Sequence, residues 1–281
     1  MAEHRFPYID YLLSELDKGN PAVAKSFGRH VHWGYWDNPA NATGDDDDYA
    51  RAAERLTLEL CTLAEIAEGD RVLDAGCGFG GTVASLNERF NKVGLIGLNI
   101  DERQLARASR LVRPLHGNAV VFCGGDACVL PFADASFDRL LAVECIFHFP
   151  SRETFFREAY RVLRPGGVLA LSDFVPSPLF LPISRLRLPR RLDKFNVFGS
   201  YNLQYTIGKY RQLAIRTGLV TDVARDVTRH ILPTYRYLQN LSARNAALAG
   251  RHDFAKYLIG LQRLLGQFGL LNYTLLSFRK P

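Results

Sequence analysis

The stretch of sequence that decides the fold is Arg71-Val72-Leu73-Asp74-Ala75-Gly76-Cys77-Gly78-Phe79-Gly80-Gly81. An apolar run ends in an acid, Asp74, and a glycine-rich turn leads directly into a helix-forming segment, Thr82 to Arg89. This order predicts a buried parallel strand, a sharp loop and a helix packed against the sheet. Gly76 and Gly78 can adopt positive φ angles and have no Cβ atom, so a ligand can lie against the loop backbone.

The acid in this loop bears on the kind of ligand that the loop accepts. A dinucleotide site uses the same strand, glycine loop and helix, with pyrophosphate at the helix N-terminus. Asp74 precedes the first glycine of the turn, and a carboxylate there would repel a pyrophosphate and attract an ammonium group. Gly76, Gly78 and Gly81 nevertheless have the spacing found in nicotinamide-dependent oxidoreductases, so the glycines alone leave that class open.

The string D-A-G-C-G-F-G at residues 74–80 resembles the first motif of the class I methyltransferases that use S-adenosylmethionine (SAM). The resemblance extends to a small-molecule group, methyltransferase type 11, with sterol, tocopherol and sugar O-methyltransferases among its members. It implies that the amino-acid end of SAM lies over the glycine loop, against Asp74, Gly76, Cys77 and Gly78, and that the product is S-adenosylhomocysteine. A glycine loop is a weak signal by itself, so the rest of the chain must supply further motifs.

The composition is ordinary for a globular protein. The chain has 281 residues, enough for one large α/β domain with additions, and 47% of them are hydrophobic and 23% charged. A net charge of +6 permits an anionic partner but requires none, and we expect no nucleic-acid partner. The five cysteines are an odd number without a CxxC pair, which indicates free thiols in a reducing compartment.

The sequence shows no apolar leader and no stretch that approaches the length of a membrane span. We therefore expect a cytoplasmic protein without stable membrane insertion. A monomer and a homodimer are both compatible with the sequence.

Strand-like and helix-like segments alternate from residue 70 onward, which is typical of a doubly wound, Rossmann-like α/β fold with a mostly parallel sheet. We predict seven strands, at residues 71–74, 92–98, 119–123, 138–143, 168–173, 219–227 and 270–280. Helices are predicted at residues 7–18, 21–27, 49–67, 82–89, 101–113, 153–163 and 207–217, with a long helical stretch, broken near Gly250, at 233–268.

This pattern divides the chain into four parts. We expect a helical N-terminal lid segment at residues 1–48, a SAM-binding core at 49–175, a cap insertion over the acceptor pocket at 176–206, and the C-terminal part of the core with a helical addition at 207–281. The cap mixes apolar and aromatic residues with five cations, Arg185, Arg187, Arg190, Arg191 and Lys194. We favour a solvated face for these cations over a site for an anionic group.

Four adjacent acids, Asp45 to Asp48, stand in a loop before the third predicted helix. Adjacent like charges usually mark a solvated loop, and Asp48 is a candidate for the helix cap. We expect no metal site here, because no second cluster of ligands accompanies the run.

Ligands of doubly wound sheets bind at the carboxyl ends of the strands, so the residues after each strand are candidates for the site. The second strand is followed by Asn99, Ile100 and Asp101. In the family an acid usually stands where Asn99 stands and holds the ribose hydroxyl groups, and the resemblance implies that Asn99, Ile100 and Gln104 contact SAM. Asp101 is interpreted as the N-cap of the next helix.

A second block of the family follows the third strand. Residues 124–138 read G-G-D-A-C-V-L-P-F-A-D-A-S-F-D and closely resemble its G-D-A-x-x-L-P-F…D-x-S-F-D motif. In the family the acid of this block accepts a hydrogen bond from the adenine amino group, and the next backbone N–H serves a ring nitrogen. The resemblance assigns these roles to Asp126 and Ala127.

Glu144 and His148 follow the fourth strand, four residues apart, and suggest general acid–base chemistry. The family carries the same spacing, which implies that Glu144 supports the SAM loop or the acceptor pocket and that His148 faces the zone of methyl transfer. His148 is a candidate base, and the alternative is that its ring only forms a wall of the site.

The aromatic segment His30-Val31-His32-Trp33-Gly34-Tyr35-Trp36-Asp37, which contains H-W-G-Y-W at residues 32–36, is too short to be a core element by itself. It indicates either a lid over the ligand or an aromatic plug that packs the N-terminal helices onto the domain. The segment is similar to one ahead of the SAM domain in the small-molecule methyltransferases. There a tyrosine reaches the carboxylate or sulfonium region of SAM, and Tyr35 matches it.

These motifs together indicate a SAM-dependent methyltransferase that acts on a hydrophobic small molecule, with O-methylation in natural-product biosynthesis as the leading hypothesis. C-methylation of an isoprenoid or sterol-like substrate is an alternative that would fit Asn99 and the aromatic cap. A SAM-binding protein without catalysis is a further alternative. The oxidoreductase hypothesis is disfavoured, because Asp74 precedes the glycines and the block around Asp126 has no role in that class.

Overall fold

The computed structural model describes residues 6–184, 202–244 and 252–281. The helices are α1 (Pro7–Asp17), α2 (Pro21–Phe27), α3 (Asp46–Leu63), α4 (Gly81–Arg89), α5 (Glu102–Leu111), α6 (Arg152–Val162), α7 (Leu181–Ser184), α8 (Ile207–Thr217), α9 (Thr228–Arg244) and α10 (His252–Gln267). The strands are β1 (Arg71–Ala75), β2 (Gly94–Asn99), β3 (Ala119–Gly124), β4 (Phe137–Val143), β5 (Leu163–Pro176), β6 (Val220–Asp226) and β7 (Leu271–Arg279). Single 3₁₀ turns lie at Pro39–Asn41 and Ile146–His148.

The strands form one sheet in the order β3-β2-β1-β4-β5-β7-β6. Strands β1 to β5 run parallel, whereas β7 is antiparallel to both of its neighbours, β5 and β6. The predicted fold class, a doubly wound and mostly parallel seven-stranded sheet, is confirmed. The order reverses beside β1, so the loops after β1 and β4 open on the crevice where such sheets bind ligands.

The central strands are apolar because helices cover both of their faces. Val72 and Leu73 of β1 and Leu140 and Leu141 of β4 are all buried. Asp74 interrupts this apolar pattern in β1 with a carboxylate in the middle of the sheet, level with Gly97 of β2 and Leu141 of β4. The sequence thus places an acid at a position of β1 that is 2% exposed.

The helix termini follow the capping residues in the sequence. Asp101 is the N-cap of α5 and accepts a hydrogen bond from the backbone N–H of Arg103, as predicted. The prediction for Asp48 was wrong, because Asp45 caps α3 by accepting from the N–H of Asp48. Asp48 is instead buried, and its carboxylate accepts from the indole N–H of Trp36 at 3.0 Å. The run of four acids thus contains two structural acceptors, Asp45 and Asp48, which a count of charges does not reveal.

Two predicted features fall largely outside the described residues. Strand β5 runs on to Pro176, and residues 202–206 lead into α8, but the five cations of the predicted cap lie between them in residues 185–201. The break predicted near Gly250 separates α9 from α10 and also lies outside the described residues. The division into four parts therefore stays a prediction. Within the described ranges, no helix has the length and apolar character that crossing a bilayer requires.

Candidate active site

A cavity lies at the carboxyl ends of β1, β2 and β4, where the loops after these strands meet α1 and the segment that precedes α3. The topology explains the meeting, because parallel strands deliver their following loops to one edge of the sheet. Its lining includes every predicted site residue except one, namely Asp74, Gly76, Cys77, Gly78, Asn99, Ile100, Gln104, Asp126, Ala127, Glu144 and His148.

Asp74 is the most unusual group of the cavity. The residue is 2% exposed, and neither carboxylate oxygen has a hydrogen-bond partner. Burial raises the pKa of this carboxyl to about 7. A buried carboxylate without a partner is costly, so its presence in the lining fits a cationic ligand that would supply the missing partner.

The glycine loop beside Asp74 has backbone angles that only glycine adopts readily. Gly76 and Gly78 have φ angles of +83° and +54°. A Cβ atom on Gly76 would lie 2.8 Å from Sγ of Cys145, so the position also requires glycine for space. The N–H of Gly76 donates to the carbonyl of Leu98 at 2.7 Å, which fixes the loop to the end of β2.

Two side-chain amides line the cavity after β2, that of Asn99 at the end of the strand and that of Gln104 in α5. Asn99 and Gln104 are buried at 7% and 4% exposure. The side-chain oxygen of Asn99 accepts from the N–H of Asp101 at 3.3 Å. This bond uses the oxygen of Asn99 and leaves its NH₂ group as the donor for a ligand hydroxyl.

Asp126 follows β3 and lines the cavity. Its Oδ1 accepts from the N–H of Cys128 at 2.8 Å, which orients the carboxylate. Ala127 is buried beside it. The pair offers one acceptor and one backbone donor, the set that the amino group and ring nitrogen of an adenine require.

Glu144 faces the cavity from a strained turn. Its φ is +52°, in the left-handed region that glutamate rarely adopts. Oε2 accepts from the N–H of Trp33 at 2.9 Å and from the hydroxyl of Tyr273 at 2.7 Å. Burial raises the pKa of Glu144 to about 8, against the effect of these two hydrogen bonds. Strained residues cluster at functional sites, so Glu144 stays a candidate residue of the site.

His148 lies in an aromatic corner of the cavity. The rings of Phe6 and Phe147 each lie 4.4 Å from its ring, between centroids, and the ring of Tyr8 lies at 6.1 Å, nearly parallel to it. Phe6 and Tyr8 belong to the start of the chain and line the cavity with it. The imidazole thus lies among aromatic side chains in the wall of the cavity.

Tyr35 is the predicted site residue that the structure does not bring to the cavity. Its ring stacks on His230 of α9 at 4.6 Å, and its backbone N–H donates to the carbonyl of Ala52. The aromatic segment thus packs the N-terminal part onto α3 and α9, which corrects the expected contact with SAM.

Several cavity residues were missed by reasoning from the sequence. They are Phe6, Tyr8, Arg29, His30, His32 and Thr82. The available signal was the pair of histidines, His30 and His32, at the start of the aromatic segment, which are polar groups in an apolar stretch. Within the described residues, no group of three or more histidine, cysteine or acidic side chains is arranged to hold a metal ion.

The sheet order with an antiparallel seventh strand, together with a cavity over the glycine loop, defines a class I methyltransferase fold. A family profile described as "Methyltransferase domain" matches residues 73–171. The chain is 34% identical over 278 residues to the 27-O-demethylrifamycin SV methyltransferase of Amycolatopsis mediterranei (strain S699), with 95% of this chain and 97% of that protein covered. It is 36% identical over 204 residues to an O-methyltransferase of Pyrenophora dematioidea, covering 72% of this chain and 73% of that protein.

The chain therefore belongs to the family of SAM-dependent methyltransferases, and SAM is its methyl donor. The fold is also that of the crystal structure of the [4+2]-cyclase SpnF, with a TM-score of 0.76, 24% identity, and coverage of 98% of this chain and 94% of that one. The residues that line the cavity fit the cofactor, because SAM carries a cationic ammonium group and the lining offers a buried carboxylate without a partner, that of Asp74.

Proposed function

We propose that this enzyme transfers the methyl group of SAM to an oxygen atom of a hydrophobic small molecule in natural-product biosynthesis. The observation that carries the proposal is the unpartnered carboxylate of Asp74 in the lining of the cavity, beside a glycine turn with positive φ. The names of the two relatives reported above support oxygen as the target, since both are O-methyltransferases. The free cysteines support a reducing compartment, the cytoplasm.

In this proposal, different residues of the cavity contact different parts of SAM. Asp74 holds the ammonium group above Gly76, Cys77 and Gly78. Asn99, Ile100 and Gln104 contact the ribose, and Asp126 and Ala127 contact the adenine. When bound, SAM supplies a methyl group on a positively charged sulfur atom, which is already activated for displacement.

The remaining cavity residues act on the acceptor. His148 takes the proton that the acceptor hydroxyl loses as its oxygen forms the new bond to carbon. Phe6, Phe147 and Tyr8 hold the imidazole and exclude water, which raises the reactivity of a hydroxyl group at this place. Glu144, neutral at pH 7 because of its raised pKa, offers a hydrogen bond to the acceptor and carries no charge that must be desolvated.

The test uses SAM with matched pairs of acceptors. Hydroxylated polyketide and aromatic compounds are compared with analogues whose hydroxyl groups are blocked or absent, and products are identified by mass and fragmentation. We expect methylation of the hydroxylated member alone. Methylation of a carbon atom in the blocked analogue would favour C-methylation instead. Calorimetric titration with SAM and with NAD, in which only SAM binds, completes the test.

A further inference from the structure

Two buried histidines line the cavity and have no part in the reaction proposed above. His30 and His32 are 4% and 7% exposed, and their ring centroids lie 4.8 Å apart. They meet Glu54 and Thr57 of α3, and a Cβ atom on Gly81 would lie 2.6 Å from Nδ1 of His30. Each ring nitrogen is therefore in contact with the protein, and its partners determine where the protons sit.

The two outer nitrogens of the pair both face acceptors. Nε2 of His30 lies 2.8 Å from Oε2 of Glu54, and Nδ1 of His32 lies 2.9 Å from the carbonyl oxygen of Trp33. Carboxylate and carbonyl oxygens only accept, so each outer nitrogen carries a proton. Since a neutral imidazole carries one proton, both inner nitrogens of a neutral pair are bare.

The inner nitrogens, Nδ1 of His30 and Nε2 of His32, lie 3.1 Å apart. The hydroxyl of Thr57 lies 3.0 Å from Nε2 of His32 and 3.4 Å from Nδ1 of His30, and its one proton can serve only one of them. The neutral pair is thus one proton short of a complete chain of hydrogen bonds. A proton on Nδ1 of His30, donated to Nε2 of His32, completes the chain.

The surroundings disfavour this proton in the absence of a further negative charge. Burial lowers the pKa of His32 to about 3. Burial also lowers the pKa of His30, and the hydrogen bond with Glu54 opposes this effect. The charged groups that face His30 are Arg29 on its own segment, Lys25 of α2, Glu54 of α3, and Glu88 and Arg89 of α4. Lys25 is already paired with Asp47 at 2.6 Å. Of the nearer charges, Arg29 disfavours a positive charge on His30 and Glu54 and Glu88 favour it, so a further anion nearby would favour an imidazolium.

The cavity has a place for an anion next to the pair. Helix α4 begins there, and its N-cap, Gly80, provides no side chain to satisfy the first N–H groups. Thr82 of the same turn lines the cavity with His30. Helix N-termini favour negative charge. Asp74 lines the same cavity, and the carboxylate of an amino acid is attached to the carbon that bears its ammonium group.

We propose that the His30–His32 pair is the counter-charge for the carboxylate of SAM and takes up one proton when SAM binds. The proposal rests on the placement of SAM given above. The proton enters from solvent at Nδ1 of His30, and Glu54 stabilises the resulting imidazolium from the other side of the ring. His30 is thus a positioning residue, which fixes the methionine end through charge while the reacting atoms lie near His148.

The experiment counts protons by calorimetric titration of the enzyme with SAM at pH 7, in buffers of different ionisation enthalpy. The wild type releases protons at Asp74 and takes them up at His30, so the two partly cancel. Asp74→Asn should show net uptake. His30→Gln keeps an N–H for Glu54 but cannot take a proton, so it should show net release and about tenfold weaker binding. The control is His116→Gln, at an exposed histidine, and it should match the wild type.

The outcomes separate the two proposals. Wild-type affinity and proton count in His30→Gln would overturn the counter-charge, even if Asp74→Asn binds SAM poorly. Wild-type affinity in Asp74→Asn would overturn the placement of SAM itself. If His30→Gln does not unfold cooperatively, nitrogen NMR of the wild-type His30 ring decides: two protonated nitrogens only with S-adenosylhomocysteine bound support the proposal, and an unchanged ring refutes it.

Discussion

The hydroxyl of Tyr273 in β7 donates a hydrogen bond of 2.7 Å to Oε2 of Glu144 in the loop after β4. The bond ties the last strand of the sheet to a carboxyl group of the cavity. It also favours the ionised form of Glu144, although burial outweighs it and leaves the pKa at about 8.

This raised pKa makes stability depend on pH. The folded pKa of Glu144 lies above the ordinary value of 4.5, so the stability linked to its protonated form is complete below that value and is lost as the pH rises through 8. The isosteric variant Glu144→Gln does not titrate there. We expect the wild type to lose roughly 4 kcal/mol relative to this variant between pH 5 and pH 9. Urea unfolding of both proteins at each pH measures the difference, and a constant difference would contradict the shift.

Asp74 gives a second pH dependence, in binding. Burial raises its pKa to about 7, so below pH 7 the carboxyl must lose a proton before it can pair with an ammonium group. Asp74→Asn removes this step and leaves the other titrating groups in place. The advantage in SAM affinity of the wild type over the variant should therefore grow about tenfold from pH 6 to pH 8. Dissociation constants from calorimetry at three pH values test this, and a ratio that stays flat would mean that Asp74 is already ionised in the free enzyme.

The sequence predicted the sheet well because its signals are local. The glycine turn after Asp74, the alternation of strands and helices, and a capping acid such as Asp101 each act within a few residues. All seven predicted strands are present, and most of their observed ends lie within a few residues of the predicted ends. The candidate residues after β1 to β4 follow from the same rule, because their position is set by the strand that precedes them.

The rest of the site depends on contacts between distant parts of the chain. Phe6, near the start of the chain, packs against His148, and Tyr35 stacks on His230 of α9 instead of lining the cavity. The protonation of His30 depends on Glu54, which arrives from the next helix. No local pattern specifies these pairs, so the sequence could indicate polar and aromatic residues in this region without telling which of them face the ligand.

His148 is predicted to act in turnover and not in cofactor binding. His148→Ala should retain SAM affinity within a few-fold and reduce kcat about a hundredfold or more, as expected for loss of a general base. The exposed His116 provides the control, since His116→Ala should leave both values unchanged. Calorimetry with SAM and initial rates with an identified acceptor give the two quantities. Unchanged turnover in His148→Ala would show that the His148 ring only lines the cavity.

The ion pair of Arg152 and Asp173 should matter more for stability than any exposed pair. Arg152 is 2% exposed and Asp173 is fully buried, with 2.8 Å between Nη2 and Oδ2. Arg152→Met leaves a buried carboxylate without its cation, and we expect a loss of about 3–5 kcal/mol in the free energy of unfolding at pH 7. Arg157→Met breaks an exposed pair with Glu153 and should cost about 0.5 kcal/mol or less.

Denaturant unfolding of both variants compares these costs in the same helix, α6. Burial raises the pKa of Asp173, and Arg152 opposes the rise, so removal of the arginine should raise that pKa further. The cost of Arg152→Met should therefore shrink at acid pH, where Asp173 becomes neutral, while the cost of Arg157→Met stays small. Equal costs for the two variants at pH 7 would show that Tyr210, which also hydrogen-bonds Asp173, holds the carboxylate without the arginine.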